Sequence, residues 1–397
     1  MVGTMANYHK YQNELLEVAR RVPYRQFPLR EATERAFLAC PRHRFVQRYR
    51  LGPGAWVEIT PENLAEHLPL LYRDVPLALQ EDRNGRVLST ISQPSFVLYM
   101  LDLLRLEQGQ RVFEVGAGSG WNAALMGYLV GETGHVYSAE ILPEAAQQAQ
   151  SNLRQLQVRN VTIIAGDGGP GLEREAPFDR VIFTAGGFDL PRSLYRQVKD
   201  DGLVLFPLKV KGAGDILYLL KKAADHFTAL QAIDSQFVPL TGKHRAPETE
   251  GVFLEELPEW ESLKTRFVSD SPLPWEADIR LGASVMSKTL ALRFFLSLRE
   301  PDFFILKLGS DADEANAFGL RAGDSLAICR DGRVVAYGND AARERLFQAV
   351  REWVERGRPA PAEFRLQIYP ADSVLPCPAG ADQWLVKRAE SQFLWTL

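Results

Sequence analysis

The pattern of apolar and polar positions changes character along this chain of 397 residues. Apolar residues at helical spacing, among them Leu15 and Val22, predict helices over residues 8–50. From residue 110 to about 240, short β-rich runs alternate with a helical run over 142–158. Strands that alternate with helices of this length imply a mainly parallel sheet covered on both faces. The pattern therefore predicts an α/β fold for the middle of the chain.

The C-terminal third is predicted to form a smaller, separate region. Six glutamates lie between residues 248 and 261, and this acidic segment is interpreted as a linker over 246–270. Beyond it, "SLAICRDGRVVAYG" is typical of a hairpin that turns at Asp331-Gly332. A helix is predicted from Asn339 to Gly357, and "EFRLQIYP" and "QWLVKRAESQFLWTL" predict strands. Together these elements indicate an α+β domain over 271–397.

Composition and charge mainly exclude functions. A hydrophobic content of 46%, a charged content of 24% and a net charge of −4 are typical of a soluble protein without bulk attraction for nucleic acid or membrane. Cys40, Cys329 and Cys377 lie far apart, and no cysteine or histidine cluster has metal-site spacing. The N-terminal residues do not resemble a signal peptide, and no apolar run reaches the roughly 20 residues that span a bilayer. We therefore expect reduced thiols, no metal, and a cytoplasmic location.

The first candidate site is the glycine-rich loop of "RVFEVGAGSGW", which joins a predicted strand to a helix through Gly116, Gly118 and Gly120. Such a turn lets the backbone approach a ligand closely at the carboxyl edge of a parallel sheet. Dinucleotide sites need a small residue five positions after the first glycine, for close packing of helix on strand. Trp121 occupies that position, and its indole argues against NAD or FAD.

Carboxylates at the ends of successive strands favour S-adenosylmethionine as the ligand. Glu140 ends the second strand, where it could accept hydrogen bonds from both ribose hydroxyls. Asp167 ends the third strand and could accept from the adenine amino group, while Gly168 leaves clearance. Glu114 lies within the first strand and could orient the glycine loop. These acids, in this order after a glycine-rich loop, predict an S-adenosylmethionine site.

The segment "STISQPSF", residues 89–96, contains four hydroxyl side chains directly before an apolar helical run. Two interpretations of Ser92 are open. Serine often caps a helix, and Pro94 is well suited to the first helical turn. A hydroxyl at a helix N-terminus is also well suited to binding an anion such as a carboxylate.

These segments together resemble the protein-L-isoaspartate O-methyltransferase family over residues 12–243. The resemblance rests on "TISQPSFVLYMLDLL", "RVFEVGAGSGW", "VYSAEI", "NVTIIAGDGG" and "APFDRVIFTAGG", with "CPRHRFV" before them and "QFVPLTG" after them. It implies a Rossmann-like methyltransferase fold that binds S-adenosylmethionine and releases S-adenosylhomocysteine. The implied acceptor is an isoaspartyl or aspartyl side-chain carboxylate of a protein or peptide. The fourth strand continues into "TAGG", without the Asp/Asn-Pro-Pro-aromatic tetrapeptide of enzymes that methylate base amino groups, so a nucleic-acid substrate is not expected.

The resemblance also implies a division of residues 1–245 and a role for individual side chains. The division is a helical part over 1–75, a substrate loop with the active-site motif over 76–95, and a cofactor-binding core over 96–245. The implied catalytic residues are Ser92 and Thr90. The implied cofactor-binding residues are Glu114, Gly116, Gly118, Gly120, Glu140, Ile141, Asp167, Gly168 and Thr184. The implied substrate-binding residues are Asp74, Leu77, Ser89 and Gln93.

The chain departs from the family pattern in two places. A longer polar loop, "EDRNGRV", replaces a glycine-rich loop on the substrate side. The C-terminal region is similar to extensions on a subgroup of the family that modifies ribosomally made peptides. The leading hypothesis is therefore an isoaspartyl or aspartyl O-methyltransferase acting in protein repair. The alternatives are an aspartate methyltransferase that tailors a ribosomal peptide and an adaptor that binds the cofactor without catalysis. A small-molecule methyltransferase is disfavoured because the second domain suggests a large substrate.

Overall fold

The computed structural model describes residues 8–212, 214–245, 251–274, 282–307, 317–375, 380 and 382–397, with the backbone alone for 282–289. The helices in these ranges are α1 Tyr8–Arg21, α2 Glu31–Ala39, α3 Leu64–Leu71, α4 Pro94–Leu104, α5 Trp121–Val130, α6 Pro143–Gln155, α7 Leu194–Gln197, α8 Trp260–Leu263, α9 Gly282–Arg299 and α10 Ala341–Glu355. None of them is both long and apolar enough to cross a membrane.

The strands are β1 Arg48–Tyr49, β2 Val57–Glu58, β3 Leu77–Glu81, β4 Val87–Ile91, β5 Arg111–Val115, β6 His135–Glu140, β7 Val161–Ala165, β8 Phe178–Phe183, β9 Val198–Val210, β10 Gly214–Lys222, β11 Phe227–Ser235, β12 Val252–Phe253, β13 Phe267–Pro272, β14 Phe303–Lys307, β15 Ala317–Arg321, β16 Leu326–Arg330, β17 Arg333–Tyr337, β18 Arg365–Pro370, β19 Gln383–Lys387 and β20 Ser391–Thr396.

A ten-stranded sheet forms the centre of the fold, in the order β19-β20-β18-β11-β10-β9-β8-β5-β6-β7. Strands β5 to β9 pair in parallel, and the remaining neighbours pair antiparallel. The strands β5, β6, β7 and β8 are those predicted from "RVFEVG", "HVYSAEI", "VTIIAGD" and "DRVIFTAG". The predicted fold class, an α/β methyltransferase fold with a mainly parallel sheet at its core and an additional C-terminal sheet, is confirmed.

The N-terminal helices cover the sheet near the site. Helix α4 packs between α1 and α2, and its Asp102 is buried against them. The Asp102 carboxylate accepts hydrogen bonds from the Arg25 guanidinium at 2.6 Å and the Thr33 hydroxyl at 2.5 Å. Because both charges of the Arg25–Asp102 pair are almost fully buried, removing one would leave the other uncompensated. This pair therefore anchors α4, whose N-terminus borders the candidate site.

The C-terminal region is organised differently from the predicted division. A six-stranded sheet, β12-β14-β15-β16-β17-β13, includes two strands from the segment interpreted as a linker. Residues 246–250 of that segment lie outside the described residues, but β12 and most of β13 fall within 251–270. Strand β13 is an edge strand with mostly exposed or half-buried side chains, so it lacks the apolar alternation by which strands are recognised.

Strands β18, β19 and β20 also differ from the prediction, because they join the central sheet instead of a separate domain. Strand β18 continues the sheet from β11 through the pairs Phe227–Ile368 and Thr228–Gln367. Nothing local in the sequence specifies this long-range pairing. The predicted hairpin at Asp331-Gly332 does form, between β16 and β17, and both residues have positive φ.

Candidate active site

A pocket lies over the carboxyl ends of the parallel strands, and we call it the glycine-loop pocket. Several of the predicted side chains and loops line it together, namely Ser89, Thr90, Ser92, Gly116, Gly118, Glu140, Ile141, Asp167, Gly168 and Thr184. The segment Val238–Thr241 also lines the pocket and was not predicted as part of the site. Its signal in the sequence was "QFVPLTG", which the resemblance treated only as the last strand.

The glycine loop approaches its neighbours too closely for side chains. Gly116 has φ of +103°, and a Cβ atom there would lie 2.3 Å from the Thr184 hydroxyl. That hydroxyl donates to the backbone carbonyls of Val115 and Gly116. The loop ends at Gly120, which lies outside the pocket lining and precedes helix α5 with φ of +81°. The loop backbone is thus exposed to a ligand on one side and packed on the other.

Trp121 begins helix α5 and fills the position that dinucleotide sites keep small. Its indole is buried, donates to the Cys40 carbonyl at 2.9 Å, and lies edge-on to Phe37 at 6.2 Å between ring centroids. The indole therefore fastens the glycine loop to the N-terminal helices.

Glu140 is held by the backbone of the loops that it faces. One carboxylate oxygen accepts from the Gly118 amide at 2.8 Å and the other from the Leu142 amide at 3.0 Å. A carboxylate has about four acceptor positions, so two of them remain for a ligand in the pocket. The residue Glu140 is 94% buried, and this burial favours strong hydrogen bonds from hydroxyl donors to its carboxylate.

Asp167 is fixed in a similar way at the end of β7. Its two oxygens accept from the Gly169 and Lys243 amides, each at 2.8 Å. A Cβ atom on Gly242 would lie 2.4 Å from the carboxylate, so the segment after Thr241 must pass very close to it. Asp167 and Glu140 therefore present two preorganised acceptors to the same pocket.

Glu114 lies behind the glycine loop and outside the pocket lining. It is fully buried, and it accepts hydrogen bonds from the Ser138 hydroxyl and from the Asn122 side-chain amide at 2.7 Å. Burial raises the pKa of this carboxyl group to about 7, although both hydrogen bonds act in the opposite direction. Asn122 itself lines the pocket, so Glu114 orients the site indirectly.

Ser92 does not cap helix α4. The cap position is Gln93, and the first turn is instead satisfied by Asp74, whose carboxylate accepts from the Ser95 amide at 2.8 Å and the Ser95 hydroxyl at 2.7 Å. Asp74 also accepts from the Gln93 side chain at 2.9 Å. Asp74 therefore caps helix α4, which is the role that the sequence suggested for Ser92. Asp74 lines neither the glycine-loop pocket nor the second depression beside it.

A second depression adjoins the first, and we call it the adjoining cleft. Thr90, Ser92 and Thr184 line both depressions, while Gln93 lines the cleft and not the pocket. The far wall of the cleft is aromatic, with Tyr24, Phe96 and Phe237. Leu77, by contrast, is completely buried in the core opposite Ile91 and lines neither depression. The hydroxyl cluster thus lies at the junction of a pocket and an open cleft.

Arg42 holds this junction together and was not identified from the sequence. Its guanidinium is buried and donates to five backbone carbonyls, those of Leu71, Arg73, Val75, Ile91 and Ser92, at 2.7–3.2 Å. It also lies 5.7 Å from the ring of Trp121. The segment that carries Ser92 is therefore tied to the glycine-loop helix through one side chain.

The described residues contain no group of three or more His, Cys, Asp or Glu side chains arranged to hold a metal ion. Cys40 and Cys329 are buried free thiols, and Cys377 lies outside the described residues.

Comparisons with known proteins identify the family. A family model described as protein-L-isoaspartate(D-aspartate) O-methyltransferase matches residues 24–245. The protein-L-isoaspartate O-methyltransferase of Ignicoccus hospitalis is 33% identical over 224 residues, which are 56% of this chain and 95% of that protein. The enzyme of the same name from Pyrococcus horikoshii is 35% identical over 216 residues, 54% of this chain and 86% of that protein.

A solved structure named protein-L-isoaspartate O-methyltransferase aligns with 91% of this chain and 96% of its own, with a TM-score of 0.53 and 21% identity. That likeness concerns the fold and extends well beyond residue 245, where the family model ends. The pocket geometry, the family model and the relatives agree. The chain belongs to the protein-L-isoaspartate(D-aspartate) O-methyltransferase family.

Proposed function

We propose that this methyltransferase transfers a methyl group from S-adenosylmethionine to the free carboxylate of an isoaspartyl residue in a polypeptide. The observation that carries the proposal is the shared lining of the two depressions. Three residues that carry hydroxyl side chains, Thr90, Ser92 and Thr184, line both the glycine-loop pocket and the adjoining cleft. A cofactor in the first and a peptide in the second would meet at these hydroxyls.

The glycine-loop pocket fits S-adenosylmethionine. The backbone at Gly116 and Gly118 lines the pocket where the methionine part would bind, Glu140 offers acceptors for ribose hydroxyls, and Asp167 offers an acceptor for the adenine amino group. When bound, the cofactor supplies an electrophilic methyl group on a sulfonium.

The residues that line the junction would hold the substrate carboxylate in place and remove water from it. A carboxylate is ionised at pH 7, so it needs no general base. The Ser92 hydroxyl would donate to one of its oxygens and leave the other directed toward the pocket. The ring centroid of Phe96 lies 5.7 Å from that of Tyr24 and 6.1 Å from that of Phe237. This aromatic wall would exclude water from the reacting oxygen.

The product of this reaction is a methyl ester beside a backbone amide. The following amide nitrogen attacks the ester carbonyl and loses its proton, methanol leaves, and a succinimide remains. Hydrolysis of the succinimide returns part of the material to the ordinary aspartyl form, which is the repair outcome.

The test of this proposal uses two peptides that differ only in isoaspartyl or aspartyl linkage, with radiolabelled S-adenosylmethionine. We expect base-labile label on the isoaspartyl peptide alone. Loss of one hydroxyl donor to a charged group costs about 1.5–3 kcal/mol, so Ser92→Ala is expected to lower kcat roughly 10- to 150-fold. Its affinity for S-adenosylhomocysteine should stay within about twofold of wild type. Ser151→Ala, on the outer part of α6, is the matched control.

Three results would contradict or redirect the proposal. Unchanged turnover in Ser92→Ala would remove Ser92 from the site. Label on the aspartyl peptide would favour the alternative of aspartate modification in a dedicated peptide, which the long β3–β4 hairpin and the added C-terminal strands support. Cofactor binding without label on either peptide would contradict isoaspartyl transfer and support the adaptor hypothesis. The cytoplasmic location stays a prediction.

A further inference from the structure

A buried ion pair lies behind the aromatic wall of the adjoining cleft. Lys209 of β9 and Asp215 of β10 are partners across the two strands, and the Lys209 Nζ lies 2.7 Å from one oxygen of the Asp215 carboxylate. The two side chains are 16% and 4% exposed. Neither residue lines the cleft or the glycine-loop pocket. The pair can therefore affect a bound substrate only through the residues that it contacts.

Stabilisation of the sheet does not by itself account for this pair. The adjacent positions Leu208, Val210 and Ile216 are buried and apolar. Removing two opposite charges from water costs free energy that their attraction offsets only in part, so apolar side chains of similar size would stabilise the sheet as well. The same burial raises the pKa of Asp215, although its partners act in the opposite direction. The reason for two charges here lies in the groups that they bind besides each other.

The pair binds both main-chain polar groups of Phe237. The second oxygen of the Asp215 carboxylate accepts from the Phe237 amide at 2.7 Å, and the Lys209 ammonium donates to the Phe237 carbonyl at 3.4 Å. Strand β11 ends at Ser235, so Phe237 lies beyond the regular pairing of β10 with β11. Two charged side chains thus hold the main chain of Phe237 where the strand pairing has ended.

The pair also packs against the segment that leaves the glycine-loop pocket. A Cβ atom on Gly186 would lie 2.9 Å from Lys209 Cε and 3.0 Å from an Asp215 oxygen. Gly186 comes two residues after Thr184, which lines both depressions, and its amide donates to the Val238 carbonyl at 2.8 Å. The ion pair therefore lies where the main chain from the pocket meets the main chain from the cleft.

The ring of Phe237 connects this main-chain contact to the reaction. Phe237 lines the adjoining cleft, and the centroid of its ring lies 6.1 Å from that of Phe96. An aromatic ring has only a few rotamers once its main chain is fixed. The place of this ring in the wall therefore depends on the two hydrogen bonds that hold its main chain.

We propose that Lys209 and Asp215 are positioning residues for methyl transfer, which hold Phe237 where its ring shields the isoaspartyl carboxylate from water. The proposal rests on the proposed function and adds to it two residues that touch neither the cofactor nor the substrate. A displacement of about 1 Å in a site that orients reactants can cost about 100-fold in rate. Loss of the pair should therefore reduce methylation and leave cofactor binding intact.

Asp215→Asn is the first test, because the amide has a single oxygen. That oxygen can accept from the Phe237 amide or from Lys209, while the NH₂ group then faces the other donor. We expect kcat/KM for an isoaspartyl peptide to fall roughly 10- to 100-fold, with the affinity for S-adenosylhomocysteine within about twofold of wild type by calorimetry. Asp201→Asn is the matched control and should keep the wild-type kcat/KM. Asp201 pairs with Lys221 at 2.7 Å between the same two strands, but its side chain is 82% exposed.

A second variant separates positioning from stability. Lys209→Met/Asp215→Leu replaces the buried pair with apolar side chains of similar size, so the melting temperature should stay close to that of wild type. The Phe237 amide loses its carboxylate acceptor in this variant, so kcat/KM should still fall by about tenfold or more. A folded double variant with wild-type kcat/KM would overturn the proposal, also in the case that Asp215→Asn does not fold.

A mutant cycle tests whether the pair acts through Phe237. Phe237→Ala removes the ring, so adding Lys209→Met/Asp215→Leu to it should lower kcat/KM by less than about twofold further. Losses that multiply in the triple variant would show that the pair does not act through this ring, and the proposal would be wrong. If wild type methylates no isoaspartyl peptide, the proposed function itself fails. An active wild type beside equally active variants overturns the positioning role alone.

Discussion

The buried carboxyl group of Glu114 should make the stability of this protein depend on pH in a direction unusual for an acidic residue. Burial raises its pKa from the ordinary 4.5 to about 7. Below pH 4.5 the group is protonated in both the folded and the unfolded chain, so it contributes no pH dependence. Between pH 4.5 and 7 the unfolded chain loses the proton while the folded chain keeps it. Stability therefore falls as pH rises through this window and is level above it.

The size of the effect follows from the width of that window. One pKa unit corresponds to 1.36 kcal/mol, so a shift from 4.5 to about 7 amounts to about 3 kcal/mol at most. Between pH 5 and pH 8, about 2–3 kcal/mol of this should be observable. Glu114→Gln removes the titration and keeps the shape, since the amide carbonyl can accept from Asn122 and its NH₂ group can donate to the Ser138 hydroxyl.

Urea unfolding of wild type and Glu114→Gln at pH 5, 6, 7 and 8 measures the difference. The urea midpoint of the variant should rise relative to that of wild type as the pH increases from 5 to 8. The relative rise should be about 1 M if the free energy of unfolding falls by about 3 kcal/mol per molar urea. Glu132→Gln changes the same functional group at an exposed site and should follow wild type. Parallel curves for wild type and Glu114→Gln would mean that Glu114 is ionised at neutral pH, and would refute the argument from burial.

Two further changes test the glycine loop and the support of Ser92. Gly116→Ala should lower the affinity for S-adenosylhomocysteine at least about tenfold by calorimetry, because the new methyl group would lie 2.3 Å from the Thr184 hydroxyl at a positive φ. An affinity within twofold of wild type would contradict this. Arg42→Met leaves five backbone carbonyls without their hydrogen-bond donor, so both the melting temperature and kcat should fall. Arg42→Lys should not restore kcat, because an ammonium group lacks the planar arrangement of donors of a guanidinium. Full activity in either variant would show that Arg42 does not position Ser92.

The cofactor pocket was predictable from the sequence because its signals are local. A strand, a glycine loop and a helix follow one another directly in "RVFEVGAGSGW", and Glu140 and Asp167 end the next two strands. Since the carboxyl ends of parallel strands meet at one edge, residues at those ends come together without further information. The structure brings both carboxylates and Thr184 into one pocket.

The partners of Asp74 and Arg42 could not be predicted, because they depend on contacts between distant segments. The family resemblance assigned Asp74 to the substrate, whereas its carboxylate caps helix α4 from 21 residues away. Arg42 belongs to the quoted "CPRHRFV", yet only the fold shows that its guanidinium reaches carbonyls up to 50 residues distant. Ser92 is thereby relieved of the capping role, and its hydroxyl remains available at the junction.

The C-terminal region illustrates why sequence division and function need not coincide. Local patterns predicted β16–β20 but not β12–β15, and they assigned β18–β20 to a separate domain, whereas these three strands complete the central sheet beyond β11. Trp395 of β20 is completely buried, and its indole lies 3.5 Å from the Tyr218 hydroxyl of β10. Truncation after residue 245 would expose this apolar surface and the edge of β11 to solvent. Loss of activity in such a fragment could therefore result from misfolding as well as from lost recognition of the substrate. A role of these strands in recognition is therefore tested by substitutions of exposed side chains such as Lys387, which leave the buried sheet intact.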